Sequence, residues 1–237
     1  MSDPDVFGIA GDVGVGEHVP AVTALPSWPR VSEELLERIR SLPGAASTAS
    51  DLLDELGVAM VSDGVLPRHV RGVVAGHVLT LGYLPERRAI SDPRLRRTPS
   101  RLGHHTVFEM AQPGDVVVID ARGIPGLSVL GGIAATAARR SAVSGCIVDG
   151  GVRDLDEVRQ AGLSLWSRAV TPRTGKWRLE ATAINQAVMC GGVQVRPGDV
   201  AIADETGICF IPVDNAEHIL GRIVEVAEAE LRQRRGN

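Results

Sequence analysis

The sequence predicts an α/β protein with a layered α/β/α arrangement, in which helices cover a sheet. Two observations lead to this fold class. Short apolar runs rich in valine and isoleucine, typical of strands, recur from residue 70 onward. Segments with helical spacing of apolar residues lie between some of these runs, and others precede and follow them. The chain has 237 residues, 44% of them hydrophobic, so it can bury one substantial core and we expect one main domain.

Two short helices are predicted before the first strand. In Val31–Leu42 the apolar residues recur with helical spacing, and Pro43 and Gly44 end the segment. Ser47–Leu56 repeats the pattern, begins with small hydroxylated residues that can cap a helix, and ends at Gly57.

Residues 1–30 differ from the rest of the chain, since they carry four prolines and little periodicity. We interpret them as an N-terminal arm that needs a partner surface to become ordered. Gly11–Gly16 superficially resembles a nucleotide-binding loop. It lacks a preceding strand and a GK[ST] ending, so we set that interpretation aside.

Six strand-like runs follow, at residues 70–83, 115–120, 144–150, 163–169, 192–204 and 207–212. Helices are predicted at Ile133–Arg140 and Asp154–Ala161, and a last one, rich in Glu and Arg, at Ala216–Arg234. We therefore divide the chain into the arm (1–30), an α/β domain (31–215) and a C-terminal helix (216–237).

Composition narrows the class of protein. A formal charge of −4 argues against nucleic acid as a partner, because neutralising phosphates needs a concentrated basic surface. Cys146, Cys190 and Cys209 lie far apart in apolar runs, as buried reduced thiols of a cytosolic protein do. The sequence shows no secretory leader and no run of about 18 apolar residues, so we expect a cytoplasmic protein without a membrane partner.

The segment 85–101 holds six arginines and three prolines. It is either a solvated loop or subunit contact, or a mobile loop that attracts an anionic substrate into a cleft. It has no interleaved aromatic residues, which gives little support to RNA binding.

Two loops could form one anion-binding cleft. Gly131-Gly132-Ile133-Ala134 is either a tight loop or a turn into a helix whose free N–H groups bind a carboxylate or phosphate. In the second loop, Asp154 with Glu three residues later has the pattern of a capping box. Capping does not explain Arg153, because a helix start that is already electropositive gains nothing from an adjacent cation. Both loops follow apolar runs, and ligands gather at such strand ends in layered α/β domains.

Taken in order, these motifs resemble the RraA-like family, which contains 4-hydroxy-4-methyl-2-oxoglutarate/4-carboxy-4-hydroxy-2-oxoadipate aldolases and the regulator of ribonuclease E activity. The central match is residues 131–138 followed by 145–154. Further matches are Thr48, Ser50-Asp51, Ala75-Gly76, Thr80, Pro113-Gly114-Asp115, Asp120, Thr171-Pro172, residues 191–199 and Asp204-Glu205-Thr206-Gly207. The resemblance covers roughly residues 45–212. It implies the β-β-α sandwich of the swivelling-domain type.

The resemblance also implies a site. Asp154 would bind a divalent metal, Mg²⁺ or Mn²⁺, and Arg153 would contact the 2-oxo group of the substrate. The amides of Gly131, Gly132, Ile133 and Ala134 would bind the carboxylate of a small anionic 2-oxo acid. Arg153 and the metal would together stabilise the negative charge that develops as a C–C bond breaks to give pyruvate enolate. A single carboxylate is compatible with Mg²⁺, which keeps several waters.

Two glycines precede this arginine and aspartate. We expect Gly150 and Gly151 to let the backbone leave the buried strand and turn closely around the bound ligand.

The sequence departs from the aldolase pattern at Gly132. The aldolases typically carry there an aspartate that orients metal-bound water, so a group that would help to deprotonate a hydroxy-oxo acid is missing. Decarboxylation of an oxaloacetate-like substrate needs no such base. The family forms trimers or hexamers with the site between subunits, and Glu228 of the C-terminal helix is a candidate metal ligand, through water, from a neighbouring subunit.

Three other polar residues have ordinary explanations. Lys176 is interpreted as an exposed or interface lysine, with a Schiff-base role as the alternative. His104 and His105 are adjacent, and adjacent residues on a helix point in different directions. With no third partner at suitable spacing, we expect them to contact solvent or pack on a helix rather than bind a metal.

The sequence therefore predicts a metal-dependent class II aldolase or oxaloacetate decarboxylase that acts on a small 2-oxo acid and releases pyruvate. One alternative is a non-catalytic binding protein similar to the ribonuclease regulator, which Gly132 favours. Another is a lyase or isomerase that uses the same metal-enolate chemistry on a pathway-specific substrate.

Overall fold

The computed structural model describes residues 21–22, 28–97 and 101–236. The α-helices are α1 Glu33–Ser41, α2 Ala45–Glu55, α3 Pro93–Arg96, α4 His104–Met110, α5 Gly132–Arg140, α6 Leu155–Ala161 and α7 Ala216–Gly236. The strands are β1 Ala21–Val22, β2 Leu66–His69, β3 Val74–Pro85, β4 Val116–Asp120, β5 Ser128–Leu130, β6 Gly145–Val152, β7 Ser164–Val170, β8 Leu179–Ile184, β9 Val188–Cys190, β10 Val193–Val195, β11 Val200–Ala203 and β12 Ile208–Ile211. None of the helices in the described ranges is long and apolar enough to cross a membrane.

Ten of the strands form one mixed sheet, whose main order is β1-β8-β3-β4-β6-β7-β2. The strands β3, β4, β6 and β7 run parallel to one another, and β5 adds to β6 in the same direction. The outer neighbours β8 and β2 are antiparallel to β3 and β7 respectively. The hairpin β11–β12 joins β3 through β11, while β9 and β10 form a separate hairpin. The predicted α/β class is confirmed. Because the parallel strands share a direction, their carboxyl ends meet at one edge of the sheet.

Apolar side chains form three buried clusters on the two faces of this sheet. One lies between the parallel strands and α4, α5 and α6. The second joins β11 and β12 to α1, α2 and α7, and the third encloses Trp166 and Phe210. The three cysteines are buried and free, as predicted, and burial raises the pKa of each thiol to about 12.

Two local predictions were wrong. The second helix begins at Ala45 rather than at the hydroxylated residues, and Gly44 precedes it in the left-handed conformation without a side-chain cap. The run 192–204 is two strands, β10 and β11, because Pro197 lacks an N–H group and Gly198 has a φ of 93°.

The predicted N-terminal arm lies mostly outside the described residues. Its described parts contact the domain: β1 pairs in parallel with β8, and the ring of Trp28 lies against Gly198. Arg30 forms an ion pair with the buried carboxylate of Asp115. At the other end of the chain, α7 packs on α1 and α2. The division of the chain into arm, domain and C-terminal helix stays a prediction.

Candidate functional site

A cavity of about 290 Å³ opens at the carboxyl edge of the parallel strands. Its walls come from the loop between β5 and α5, from Arg153 and Asp154 after β6, from the start of α4, and from Thr174 and Lys176. The two loops that the sequence placed in one cleft therefore meet, and the cavity is large enough for a small organic acid.

Asp154 occupies the residue before α6, but its side chain does not cap that helix. Its backbone is left-handed, with a φ of 55°, a conformation in which Asp and Asn are several-fold enriched among non-glycine residues. The carboxylate turns toward the neighbouring loop, where Oδ2 accepts a 3.3 Å hydrogen bond from the N–H of Gly132. The capping-box interpretation is therefore wrong for this residue, and its carboxylate faces the cavity.

Arg153 lies beside this carboxylate. Its backbone N–H donates to the carbonyl of Leu130 over 3.0 Å, which ties the two loops together. Its Nε lies 3.3 Å from Asp154 Oδ2, and 35% of its side chain is exposed. An arginine has five N–H donors, and apart from this ion pair the guanidinium has no partner among the described residues.

Gly131 allows the two loops to approach closely. A methyl group at this position would lie 2.5 Å from Asp154 Oδ2 and 3.0 Å from Arg153 Cγ, so any side chain would displace both. Gly131 also precedes α5 without a side chain to cap it. The amides of Ile133 and Ala134 have no acceptor within the helix, which makes the start of α5 able to bind a carboxylate.

Gly132, where the aldolase pattern has an aspartate, lies under the side chain of Glu157. A methyl group at position 132 would lie 1.8 Å from Glu157 Oε2 and 2.5 Å from Glu157 Cβ. Glu157 is exposed and projects from α6, one turn after Asp154. The side chain of Glu157 therefore occupies the space that a side chain at position 132 would need, although Glu157 does not line the cavity. Sequence reasoning assigned Glu157 only to a capping box, although its spacing of three residues from Asp154 places the two on one helix face.

Gly150 and Gly151 do not lie against the cavity, which corrects our expectation that the chain leaves the strand there and turns around a ligand. β6 continues through both glycines to Val152. A methyl group at Gly150 would lie 2.5 Å from the Cβ of Ala121, and one at Gly151 would lie 2.6 Å from the carbonyl oxygen of Leu127. The two glycines are required by contact with the 121–127 loop.

His104 and His105 both line the cavity. The ring of His104 stacks on Phe108 with centroids 6.0 Å apart, and its Nε2 lies 3.2 Å from the hydroxyl of Tyr83. Burial, which outweighs a hydrogen bond to the backbone of Val129, lowers the pKa of His104 to about 4. His104 is therefore a packing histidine, as expected, and is neutral near pH 7.

Glu228, the predicted ligand from a neighbouring subunit, pairs within its own chain with Arg38, whose Nη2 lies 2.7 Å from Oε1. The hydrogen bond in this ion pair is the main cause that lowers the pKa of Glu228. The carboxylate is part of the α1–α7 contact and does not line the cavity of the same chain. Its role across a subunit boundary stays a prediction.

The arginine-rich segment leads into the cavity wall. Arg101 pairs with Glu86 and, over 2.8 Å, with Glu180, and both carboxylates are largely buried. The next residues, Leu102 to His105, line the cavity. One arginine of this segment is therefore structural, and its ion pairs fix the residues that form the wall.

The donor set suits one type of metal ion. Among the described residues there is no group of three or more His, Cys, Asp or Glu side chains that could hold a metal. Of the described side chains that line the cavity, that of Asp154 alone offers a carboxylate, and it is partly exposed. A soft, fully protein-ligated site such as structural zinc does not fit, whereas Mg²⁺ or Mn²⁺ with several waters does.

The chain is similar in sequence to known proteins over much of its length. Residues 47–210 match the model of the RraA-like family, described as Aldolase/RraA. The chain is 33% identical over 125 residues to a putative 4-hydroxy-4-methyl-2-oxoglutarate aldolase of Halalkalibacterium halodurans, covering 52% of this chain and 59% of the relative. It is 31% identical over 106 residues to a 4-hydroxy-4-methyl-2-oxoglutarate aldolase of Thermus thermophilus, covering 45% and 64% respectively. The matched part thus spans about three fifths of each of these relatives.

A solved structure extends the likeness beyond these segments. The RraAS2 protein of Streptomyces coelicolor, described as an unusual member of the RNase ES inhibitor RraA protein family, superimposes with a TM-score of 0.71 at 29% identity. The superposition covers 88% of this chain and all of that protein. An uncharacterized protein from Pseudomonas syringae, 22% identical with a TM-score of 0.72, shares the fold; the superposition covers 86% of this chain and 92% of that one. With its family model matched over most of the domain, the chain belongs to the RraA-like family.

Proposed function

We propose that this protein is a divalent-metal-dependent lyase that releases pyruvate from a small 2-oxo acid. The bond broken is the C3–C4 bond of a 4-hydroxy-2-oxo acid in retro-aldol cleavage, or the bond to the terminal carboxylate in decarboxylation of oxaloacetate. The observation that carries the proposal is the position of Asp154, whose carboxylate is held by a left-handed backbone at the cavity and does not cap α6. The aldolase names of the two relatives support the reaction class.

Asp154 would hold Mg²⁺ or Mn²⁺, and the remaining coordination positions would be taken by water and substrate. When bound, the metal supplies a Lewis acid that polarises the 2-oxo group. The role of the carboxylate is to hold that positive charge beside Arg153 and the start of α5.

Arg153 provides the second positive group. Its side chain is half-buried in the cavity wall beside Asp154, so it is aimed before substrate binds. Its N–H groups donate to the 2-oxo oxygen and stabilise the negative charge that develops there as the C–C bond breaks. The free amides at the start of α5 bind the adjacent carboxylate and fix the orientation of the substrate.

Glu157 has a role in only one of the two proposed reactions. Retro-aldol cleavage requires removal of the proton of the C4 hydroxyl, whereas decarboxylation does not. The Glu157 carboxylate lies against Gly132 at the start of α5 and does not line the cavity, so in this proposal it accepts the proton through an intervening water molecule. Glu157→Gln should therefore reduce pyruvate release from 4-hydroxy-4-methyl-2-oxoglutarate by roughly 10²-fold and leave release from oxaloacetate nearly unchanged.

The test of the main proposal is pyruvate release by Asp154→Asn, which keeps the size of the side chain and tolerates the left-handed backbone. We expect loss of Mg²⁺- or Mn²⁺-dependent turnover with both substrates. We expect a loss of less than about 1 kcal/mol of unfolding free energy, since the amide oxygen of Asn can still accept from the N–H of Gly132 and the ion pair with Arg153 is partly exposed. Asp156→Asn on the exposed face of α6 is the matched control, because Asp156 pairs with Arg159 and does not line the cavity. Full chelator-sensitive activity in Asp154→Asn would refute the metal role.

A non-catalytic regulatory function is the second candidate. The observations that favour it are Gly132, which lacks the aldolase side chain, and the likeness to the Streptomyces coelicolor protein over its whole length. If the purified protein releases no pyruvate from either substrate with Mg²⁺ or Mn²⁺, and binds a ribonuclease tightly, this function replaces the lyase. A lyase or isomerase with a pathway-specific substrate would instead show metal-dependent turnover of another 2-oxo acid.

The proposal includes the assembly of this chain into a homotrimer or homohexamer. Ile133 lies at the cavity with 80% of its surface exposed, which is unusual for an isoleucine beside a binding site. A neighbouring subunit that covers it would also bring a second set of side chains to the cavity. Sedimentation analysis tests this part directly, and a monomeric active enzyme would refute it.

A further inference from the structure

A second cavity lies at the opposite edge of the sheet, where the parallel strands begin. Its volume is about 400 Å³, and it is lined by Val74 at the start of β3, Ser144 just before β6, and Ser164 at the start of β7. The strand β6 has eight residues and therefore spans roughly 25 Å between this edge and the edge that carries Arg153. The second cavity is thus separate from the candidate active site.

Three arginines line this cavity, and none of its described lining residues is a carboxylate. Arg40 comes from the end of α1, Arg71 from the loop before β3, and Arg139 from the end of α5. Arginines near helix ends commonly donate hydrogen bonds to carbonyl groups at the end of the helix, and this explains one contact of these side chains. Arg139 donates from Nη1 to the carbonyl of Val143 over 3.0 Å. Arg71 and Arg139 are exposed, so water can accept from their remaining donors, and the cavity gathers three positive charges without a carboxylate in its described lining.

Arg40 is the least exposed of the three arginines. Its Nε donates to the carbonyl of Ala75 over 3.0 Å and its Nη1 pairs with Glu33. Its Nη2 is shielded from solvent and has no hydrogen-bond partner among the described residues. A buried guanidinium nitrogen without an acceptor is costly, so a movement of the Arg40 side chain that brings Nη2 to an acceptor in the cavity would stabilise it.

Arg71 contributes an exposed guanidinium to the cavity. Its backbone N–H donates to the hydroxyl of Ser164 over 3.2 Å, while its guanidinium has neither an ion pair nor a hydrogen bond within the described ranges. The pKa of His69 is lowered mainly by burial, next by the charge of Arg159, and then by the charge of Arg71. Two carboxylates on this side of the sheet are already engaged, since Glu33 pairs with Arg40 and the buried Asp115 pairs with Arg30.

We propose that this arginine-lined cavity is a binding site for the phosphate group of a small phosphorylated metabolite or for free phosphate. A phosphate has enough oxygens to accept from Arg40, Arg71 and Arg139 together, and guanidinium groups bind phosphate with two parallel hydrogen bonds. The cavity is large enough for a phosphate and a small attached group. The site does not depend on the proposed lyase reaction.

The experiment is isothermal titration calorimetry of the full chain with inorganic phosphate and with glycerol phosphate, at constant ionic strength. We expect saturable binding that is weakened by about tenfold or more in Arg71→Gln and in Arg139→Gln. Arg222→Gln on α7, whose arginine pairs with Glu225, is the matched control and should bind as the native chain does. Arg153→Gln should also retain binding, which separates this site from the active-site cavity.

Tighter binding of glycerol phosphate than of phosphate would support a metabolite as the source, and equal binding would support free phosphate. No saturable binding to the native chain would overturn the proposal. Equal affinity of Arg71→Gln and the native chain would also overturn it, and this variant is expected to fold because the guanidinium has no partner among the described residues to lose. Binding of a short RNA without binding of either small ligand would overturn it in favour of a polymer.

Discussion

Replacing Gly132 with alanine tests the relation between α5 and Glu157. The new methyl group would lie 1.8 Å from Glu157 Oε2 and 2.6 Å from its Cδ, but Glu157 is exposed and these atoms can rotate away. It would also lie 2.5 Å from Glu157 Cβ, which can move only if α6 moves. Overpacking of this kind costs about 1–3 kcal/mol, and alanine returns up to about 1 kcal/mol through its higher helix propensity.

The net expectation is therefore a loss of about 1–2 kcal/mol of unfolding free energy for Gly132→Ala, or roughly 2–8 °C in melting temperature. A double-mutant cycle locates the cause, measured by urea denaturation. Glu157→Ala keeps the Cβ atom and should relieve only part of the strain, whereas Glu157→Gly should relieve all of it. A Gly132→Ala variant as stable as the native chain would show that Glu157 does not occupy this space.

The remaining predictions concern stability. Gly76→Ala should cost at least about 3 kcal/mol in urea denaturation, since its methyl group would lie 2.1 Å from the carbonyl oxygen of Gly114, which is backbone and cannot rotate away; a loss below about 0.5 kcal/mol would contradict the contact. Burial lowers the pKa of His104 from 6.5 to about 4, so its neutral form stabilises the fold above pH 6.5 and this contribution is lost as the pH falls toward 4. The native chain should lose up to about 2 kcal/mol more than His104→Gln between pH 7 and pH 5, and parallel pH profiles would refute this. Asp149→Asn should cost about 2 kcal/mol, because the buried carboxylate lies 2.5 Å from Arg168 Nε; unchanged thermal stability would show that this pair is replaceable.

The sequence predicted most of the central parallel strands because they are buried on both faces and rich in valine and isoleucine. It missed β8, whose LEATAI sequence has no strong strand propensity and depends on pairing with β3. It missed β5 and β9 because three residues are too few to show a period. Whether such a segment forms a strand depends on its pairing with strands that are distant in sequence. The local sequence pattern carries no information about that pairing.

The site could be predicted in part. The sequence placed Arg153 and Asp154 after a buried strand, and the structure has them there, at the end of β6. It could not distinguish a capping aspartate from one that faces a cavity, because this depends on the backbone φ of one residue. It could not relate Glu157 to Gly132, since the contact joins two helices whose distance is set by packing. The arginine cavity was equally hidden, because its residues come from distant segments of the chain.

The contact of Gly150 and Gly151 with the 121–127 loop has a consequence for motion. At Gly151 the β6 backbone lies directly against the carbonyl group of Leu127, and at Gly150 only the methyl group of Ala121 lies between the two segments, so no long side chain there could repack. The last stretch of backbone before Arg153 and the loop therefore open together or not at all. The amide hydrogens of these two segments should exchange with solvent at one shared rate. Arg153 therefore follows a stretch of backbone that moves together with the 121–127 loop.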